Sequence, residues 1–268
     1  MGFTLLSLFF FHAAIFCRND YVDNLTGIDR MNEKGGSRVI QNGWLRANAV
    51  YRLYWTLLTV AVFFAAPVLV ANPKVMWLAL IGGGIGILGY SVLRQGRLNS
   101  FMPRSFEWLP GDLAVFLSMG PLLAVGANIV AHTPLSLTHC VLLGTGFGLA
   151  TLAYLEIRHL ISIVVDDTSE LHTLAVTLGF DNAKRVVAGA FVLIGICSLT
   201  LLWSKTLVWG EVCASAFALF TVVMAARILR AKSPLASVIP GILKQSKVVH
   251  ALYGILFIAV TLMAIILK

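Results

Sequence analysis

The sequence predicts an all-α, polytopic transmembrane helical bundle of about eight spanning helices. Three observations carry this. Of 268 residues, 59% are hydrophobic and only 12% are charged, against roughly 25% charged in an average soluble domain. Apolar stretches of spanning length recur along the chain, and the cations fall on one side when those stretches are threaded in order.

A spanning helix needs about 20 mainly apolar residues. Stretches near 49–71, 74–92, 111–131, 136–157, 183–203, 207–228 and 249–267 supply seven. Residues 3–17 (FTLLSLFFFHAAIFC) cross only if the helix runs on into the polar RND that follows. That segment has the length of a signal peptide but lacks a basic start and a small-residue cleavage site before Arg18, so it is expected to be retained as an eighth span.

The connections at 72–73, 132–135 and 204–206 are short and predict antiparallel hairpins, whereas the long ones, 18–48, 93–110, 165–182 and 229–248, lie on the opposite side. Pro73, Pro103, Pro110, Pro134, Pro234 and Pro240 fall in connections or at helix ends. Pro67 and Pro121 sit within spans, where a missing N–H is expected to kink the helix. No Pro/Ser-rich linker or low-complexity tract divides the chain, which predicts one transmembrane domain over 1–268.

The net charge of +8 is explained by topology. Lys74, Lys205 and Lys268 fall on one side, and every other Lys and Arg lies on or near the other. This positive-inside asymmetry places the long loops in the cytoplasm, with the chain spanning the inner or plasma membrane of the cell, multi-pass. Anionic membrane lipid is the partner the cations imply; no nucleic acid is needed. The four cysteines (Cys17, Cys140, Cys197, Cys213) sit in apolar surroundings without C-x-x-C spacing and read as small core residues rather than a metal knuckle or disulfide framework.

The twelve Asp and Glu are more lopsided still. Only Glu211 belongs to the outer side and Glu156 lies within a span; the rest face the basic side. Two groups stand out: Asn19, Asp20, Asp23 and Asp29 in RNDYVDNLTGIDR, and Asp166, Asp167 and Glu170 in SIVVDDTSE. Asp20 and Asp23 are i and i+3 on a helix, so one cation can bridge them. Asp29 would point away on a continuing helix, and Gly27 offers the break that brings it back. Hard oxygen donors without His or Cys favour Mg²⁺, which binds through one or two carboxylates completed by substrate phosphates. Any one of these carboxylates is as well explained as a solvated residue at a membrane edge. The cluster is not, because it repels itself unless cations compensate, and membrane proteins keep such groups for function. Glu156, Arg158 and His159 sit late in a span just before the second group, with Arg158, Ser162 and Asp166 at i+4 steps along one face; for Glu156 and His159 a packing role and a catalytic one stand equal. His12, His132, His139 and His250 are isolated and read as structural.

These residues together resemble the UbiA superfamily of intramembrane aromatic prenyltransferases, most closely its 1,4-dihydroxy-2-naphthoate, menaquinone-type branch. NDYVDNLTGID matches the family's N-D-x-x-D run and following Asp; GGSRVIQNG, with Arg38 and Gly43, mirrors its glycine-arginine turn. GYS at 89–91, LPGDLAVF at 109–116 and HTLAVTLG at 172–179 resemble later stretches. Anchored on TLAVTLG, the second D-x-x-x-D falls on positions 162 and 166, so Ser162 replaces one carboxylate. Basic residues usual just after it have become Asp167, Leu171 and His172. The family's Y-x-x-x-K becomes Tyr90 and Arg94.

The resemblance implies that Mg²⁺ held by Asp20, Asp23 and Asp166, with Asp29, Asp167 and Glu170 as further ligands, binds an isoprenyl diphosphate. Asn19, Arg38, Tyr90, Arg94, Arg158 and Lys184 are the implied partners of the diphosphate or of an aromatic acceptor. It also implies nine spanning helices with the first acidic motif ending the second. Here that motif arrives by residue 20, which is expected to mean eight helices or a truncated or misplaced start. A terpene cyclase of the same superfamily, a polytopic transporter or scaffold whose acidic loops only bind cations, and an inactive paralogue are the competing readings.

Overall fold

The computed structural model describes residues 2–27, 37–85, 107–132, 135–169, 171–200 and 208–266. Among these, the regular structure is helical: α1 (Gly2–Thr26), α2 (Ala47–Ala71), α3 (Pro73–Gly84), α4 (Leu109–Met119), α5 (Pro121–Ala131), α6 (Leu137–Thr168), α7 (Leu174–Thr200), α8 (Val208–Leu229) and α9 (Val238–Ile266). Seven segments among the described residues are long and apolar enough to cross a membrane, α4 and α5 counting together as Leu109–Ala131. The described part of the span expected at 74–92 is α3. The protein is therefore an integral membrane bundle, with its backbone N–H and C=O groups satisfied inside helices as hydrocarbon requires. Phe9, Phe63 and Val70 are exposed, which is uncostly where the surrounding solvent is lipid.

The helices run further toward the basic side than the apolar stretches do. α6 continues to Thr168, past the apolar stretch that ends near 157, and α9 begins at Val238 instead of 249; α7 begins at Leu174 but is broken at Gly179 (φ +74°, ψ 162°), so its main length starts close to the apolar stretch. Hydropathy marks the hydrocarbon layer of about 30 Å, whereas the 32 residues of α6 extend about 48 Å. Helical hydrogen bonding thus carries acidic residues out of the layer on rigid backbone. Proline opens α3 and α5 at Pro73 and Pro121, where a missing N–H costs nothing. Pro240 falls in the first turn of α9.

The expected kink at Pro121 is a break at Gly120 (φ −121°, ψ −105°), while α2 runs on past Pro67 to Ala71. The break lets backbones touch. A Cβ on Gly120 would lie 2.6 Å from the Gly144 carbonyl oxygen, and one on Gly144 would lie 2.7 Å from Pro121 Cα. Small residues at such crossings are how membrane helices gain packing without a hydrophobic driving force.

α6 is the hub, packing against α4, α5, α7 and α9. Its Ile157 and Leu160 join Phe191 and Ile194 of α7, Met224 and Ile228 of α8, and Ile239 and Ile242 of α9 in one buried cluster. Polar ties add about 0.6–1.7 kcal/mol each: Thr151 Oγ1 and His250 Nε2 lie 3.1 Å apart between α6 and α9, and Ser7 Oγ donates to the Ala61 carbonyl at 2.9 Å between α1 and α2. Cys140 and Cys197 are buried as expected, Cys17 is half-buried, and Cys213 is exposed on α8 rather than in the core. If the stretch expected at 74–92 is counted as a crossing, alternation of the spans is expected to bring the C-terminal ends of α1 and α6 and the N-terminal end of α4 to one membrane face.

Candidate active site

The first acidic group sits on the last turns of α1. Asp20 and Asp23 remain helical, and the helix stops at Gly27, whose φ of +77° is a conformation glycine adopts without strain. The break predicted there is thus present; Asp29 lies outside the described residues. The chain returns at Ser37, whose Oγ donates to Asp20 Oδ2 and whose N–H donates to Oδ1 at 3.4 Å. Arg38 follows directly with φ +57°, unusual for a residue with a side chain, and Ser37 beside it is bonded to the acidic end of α1. Asn19 is half-buried beside Asp20. Arg18 stacks over the Tyr54 ring of α2 at 5.7 Å.

The second group ends α6. Asp166 is only 3% exposed and its Oδ2 accepts from Ser162 Oγ at 2.9 Å, so the residue standing in place of a carboxylate is bonded to the carboxylate that remains. Asp167 is exposed, and Glu170 lies outside the described residues. Arg158, two turns inward, is also exposed; its carbonyl lies 3.0 Å from Ser162 Oγ and competes with Asp166 for the one hydroxyl proton. Lys184 is placed elsewhere. Its Nζ donates to the Ala231 carbonyl at 2.8 Å and pairs with Asp181 at 2.6 Å, tying α7 to the α8–α9 connection. Tyr90 and Arg94 lie outside the described residues.

Beside the second group, a cleft opens between the start of α4, the inner part of α6 and the α6–α7 connection. Asp112 in the first turn of α4 is buried on one wall and His159 on the other. At the rim, His172 Nδ1 lies 3.2 Å from Glu107 Oε2; behind the wall, Glu156 Oε1 lies 3.1 Å from His159 Nδ1. The Glu107–His172 pair, His159 and the buried Asp112 therefore line one opening, near the end of α6 that carries the second acidic group.

The two acidic groups stand on separately packed helices, since α1 makes its extensive contacts with α2 and α6 is centred in the remainder of the bundle. Among the described residues no three His, Cys, Asp or Glu side chains converge as a metal cage. The donors that are present are hard oxygens: Asp20 and Asp23 one turn apart on α1, and buried Asp166 on α6, with Asp167 turned to the exposed side. Such a set fits an ion whose shell is completed by phosphate and water, not an all-protein cage.

The family model for the UbiA prenyltransferase family matches residues 1–239. The chain belongs to the UbiA prenyltransferase family. It is similar to the 1,4-dihydroxy-2-naphthoate octaprenyltransferase of Escherichia coli (strain K12), with 30% identity over 200 residues that cover 72% of this chain and 62% of that protein. The chain thus spans less than two thirds of the length of the curated relative it matches. No solved structure gives a significant match.

Within this UbiA family chain, the cleft was the part sequence reasoning did not assemble. LPGDLAVF and HTLAVTLG are recognisable as family stretches, but nothing in their spacing says that Asp112 and His172 line the same opening as His159. The available signal was a carboxylate one turn into an apolar helix, an i, i+3 pair inside a span, and a histidine where cations are usual; each is an expensive residue to place at a membrane edge.

Proposed function

We propose that the protein is a membrane-embedded prenyltransferase that moves an isoprenyl group from a prenyl diphosphate to an aromatic acceptor of the quinone-precursor type. The observation that carries this reading is the pair of acidic helix ends, α1 at Asp20 and Asp23 and α6 at Asp166 and Asp167, delivered to one membrane face in a chain of this family. Asp20, Asp23 and Asp166, with Asp29, Asp167 and Glu170 beyond them, are the residues that hold Mg²⁺. Bound there, the ion supplies positive charge to neutralise the diphosphate as its carbon–oxygen bond weakens. Asn19, Arg38, Tyr90, Arg94 and Arg158 are the proposed polar partners of diphosphate or acceptor.

The chain's own work is positioning and exclusion of water. Backbone helices fix the two acidic ends, Ser37 orients Asp20, and Ser162 orients Asp166, so donors stand ready where charge develops. The apolar interior of the bundle keeps the allylic cation away from water until an electron-rich ring captures it. The basic loops facing the cytoplasm would meet a water-soluble diphosphate head while the isoprenyl tail stays in lipid.

The test is an assay of purified protein in detergent with Mg²⁺, prenyl diphosphates of several lengths, and hydroxyarene acceptors with and without a ring carboxylate. Pyrophosphate release coupled to a prenylated ring is the expected result. Release with a cyclic hydrocarbon and no acceptor would replace transfer by cyclisation. No release under any condition, together with unchanged ligand binding in Asp23→Ala, would remove the enzymatic reading.

A further inference from the structure

We infer that the corner where α8 meets α9 binds an anionic phospholipid of the surrounding bilayer, with Arg227 and Lys244 on the phosphodiester and the acyl chain along the outer face of α9. The site is independent of the transferase reading.

Charge is the first observation. After Glu211 the sequence holds no Asp or Glu, yet Arg227, Arg230, Lys232, Lys244 and Lys247 fall between positions 227 and 247. Lys184 Nζ donates to the Ala231 carbonyl at 2.8 Å, which sets this corner beside the start of α7; the carboxylate that comes with it, Asp181, is already paired with Lys184 at 2.6 Å. Among the described residues none of the five cations has a carboxylate partner. A surface of one sign draws its counter-charge from outside the chain. With no carboxylate to hold Mg²⁺, the anion that fits is one that needs cations alone, a phosphodiester, and basic pockets between spanning helices are where anionic headgroups bind.

The second observation is that one of these cations is built into the helix junction. Arg227 Nη1 donates to Gln245 Oε1, from α8 to α9. Its Nη2 lies over Gly241, 3.9 Å from where a Cβ would stand, so the glycine leaves the guanidinium a seat on α9. Gly241, Lys244 and Gln245 are i, i+3 and i+4, which puts the exposed Lys244 one turn from that seat on the same face. A guanidinium already held in place, with an ammonium a turn away, offers two charge-assisted donors to the oxygens of one phosphate.

The third observation is what lies inward of the cations. Lys244, Val248, Leu252 and Ile255 follow at i, i+4, i+8 and i+11 on α9, and all four are exposed. The face is thus cationic at its end and apolar below, the order in which a phospholipid presents headgroup and chain. In the connection, Leu235 is 93% exposed, three residues after the exposed Lys232. An apolar side chain set among cations in this way suits the boundary between headgroups and acyl chains.

The test is equilibrium binding of a fluorescent phosphatidylglycerol to the purified full chain in nonionic detergent. Unlabelled phosphatidylglycerol, phosphatidylcholine, inorganic phosphate and a prenyl thiolodiphosphate serve as competitors. Wild type is compared with Arg227→Gln/Lys244→Gln and with Arg46→Gln/Arg52→Gln, which removes equal charge at the start of α2. Phosphatidylglycerol is expected to compete about tenfold better than phosphatidylcholine, without Mg²⁺. The α8–α9 variant is expected to lose about tenfold or more in affinity, and the α2 variant less than about twofold. Equal competition by the two lipids overturns the inference, and so do equal losses in the two variants, which would report bulk charge alone. Inorganic phosphate competing as well as phosphatidylglycerol would make the corner a phosphate site, and stronger, Mg²⁺-dependent competition by the prenyl thiolodiphosphate would make it part of a substrate path; either result overturns the inference. Should the Arg227 substitution prevent folding, Lys244→Gln alone decides, with an expected loss of about fivefold and no loss as the contrary result.

Discussion

Ser162 Oγ donates to Asp166 Oδ2 at 2.9 Å, one turn apart on α6. The bond gives the buried carboxylate a charge-assisted partner at the position where the family pattern has a second acid. Such a bond is worth about 1.5–3 kcal/mol, so Ser162→Ala is expected to lower kcat/KM about tenfold or more. Ser162→Asp is expected to lower the Mg²⁺ concentration giving half-maximal rate, because it supplies a harder and charged ligand. A Mg²⁺ titration of initial rates checks both.

Lys184 joins two elements through the Ala231 carbonyl and the Asp181 carboxylate. Asp181 is largely exposed, so the ion pair itself contributes little; the hydrogen bond to the α8–α9 connection matters more. Lys184→Met is expected to destabilise the protein by about 1 kcal/mol, and Asp181→Asn by less. Thermal unfolding in detergent separates them: equal shifts for the two variants would contradict this division.

The Gly120–Gly144 crossing leaves no room for a side chain. Gly144→Ala forces the α4–α5 junction off α6 and is expected to destabilise by about 1–3 kcal/mol. Thermal unfolding in detergent, compared with wild type, checks the loss.

Tyr253 is fully buried, and its hydroxyl has no hydrogen-bond partner among the described residues. Burying such a group costs about 1–3 kcal/mol, so Tyr253→Phe is expected to leave the melting temperature unchanged or raise it. A clear loss of stability would show that the hydroxyl has a partner, for example an ordered water.

The fold was legible because lipid imposes simple rules. Continuous apolar length marked the spans, and the break at Gly27 followed from the need to end α1 before Asp29. The end of α6 at Thr168 agrees with the acidic group expected to close that helix, whereas the start of α9 at Val238 was missed, since hydropathy reports where hydrocarbon stops and backbone hydrogen bonding does not stop there. The acidic groups were legible as motifs, being local in sequence. The cleft was not, because Asp112, His159 and His172 come from three segments whose meeting depends on how α4 crosses α6. Lys184 illustrates the same limit in reverse: the resemblance implied a diphosphate or acceptor partner, while its neighbours in space are the Ala231 carbonyl and Asp181.

The central claim is that the acidic ends of α1 and α6 act together on one diphosphate. Equilibrium binding of a labelled prenyl thiolodiphosphate, titrated with Mg²⁺, in wild type, Asp23→Asn, Asp166→Asn and the double variant tests it most directly. The account predicts Mg²⁺-dependent binding that each single substitution weakens by tenfold or more, with the double variant weakened by less than the product of the two. Binding that is independent of Mg²⁺, or unaffected by Asp166→Asn, would contradict it.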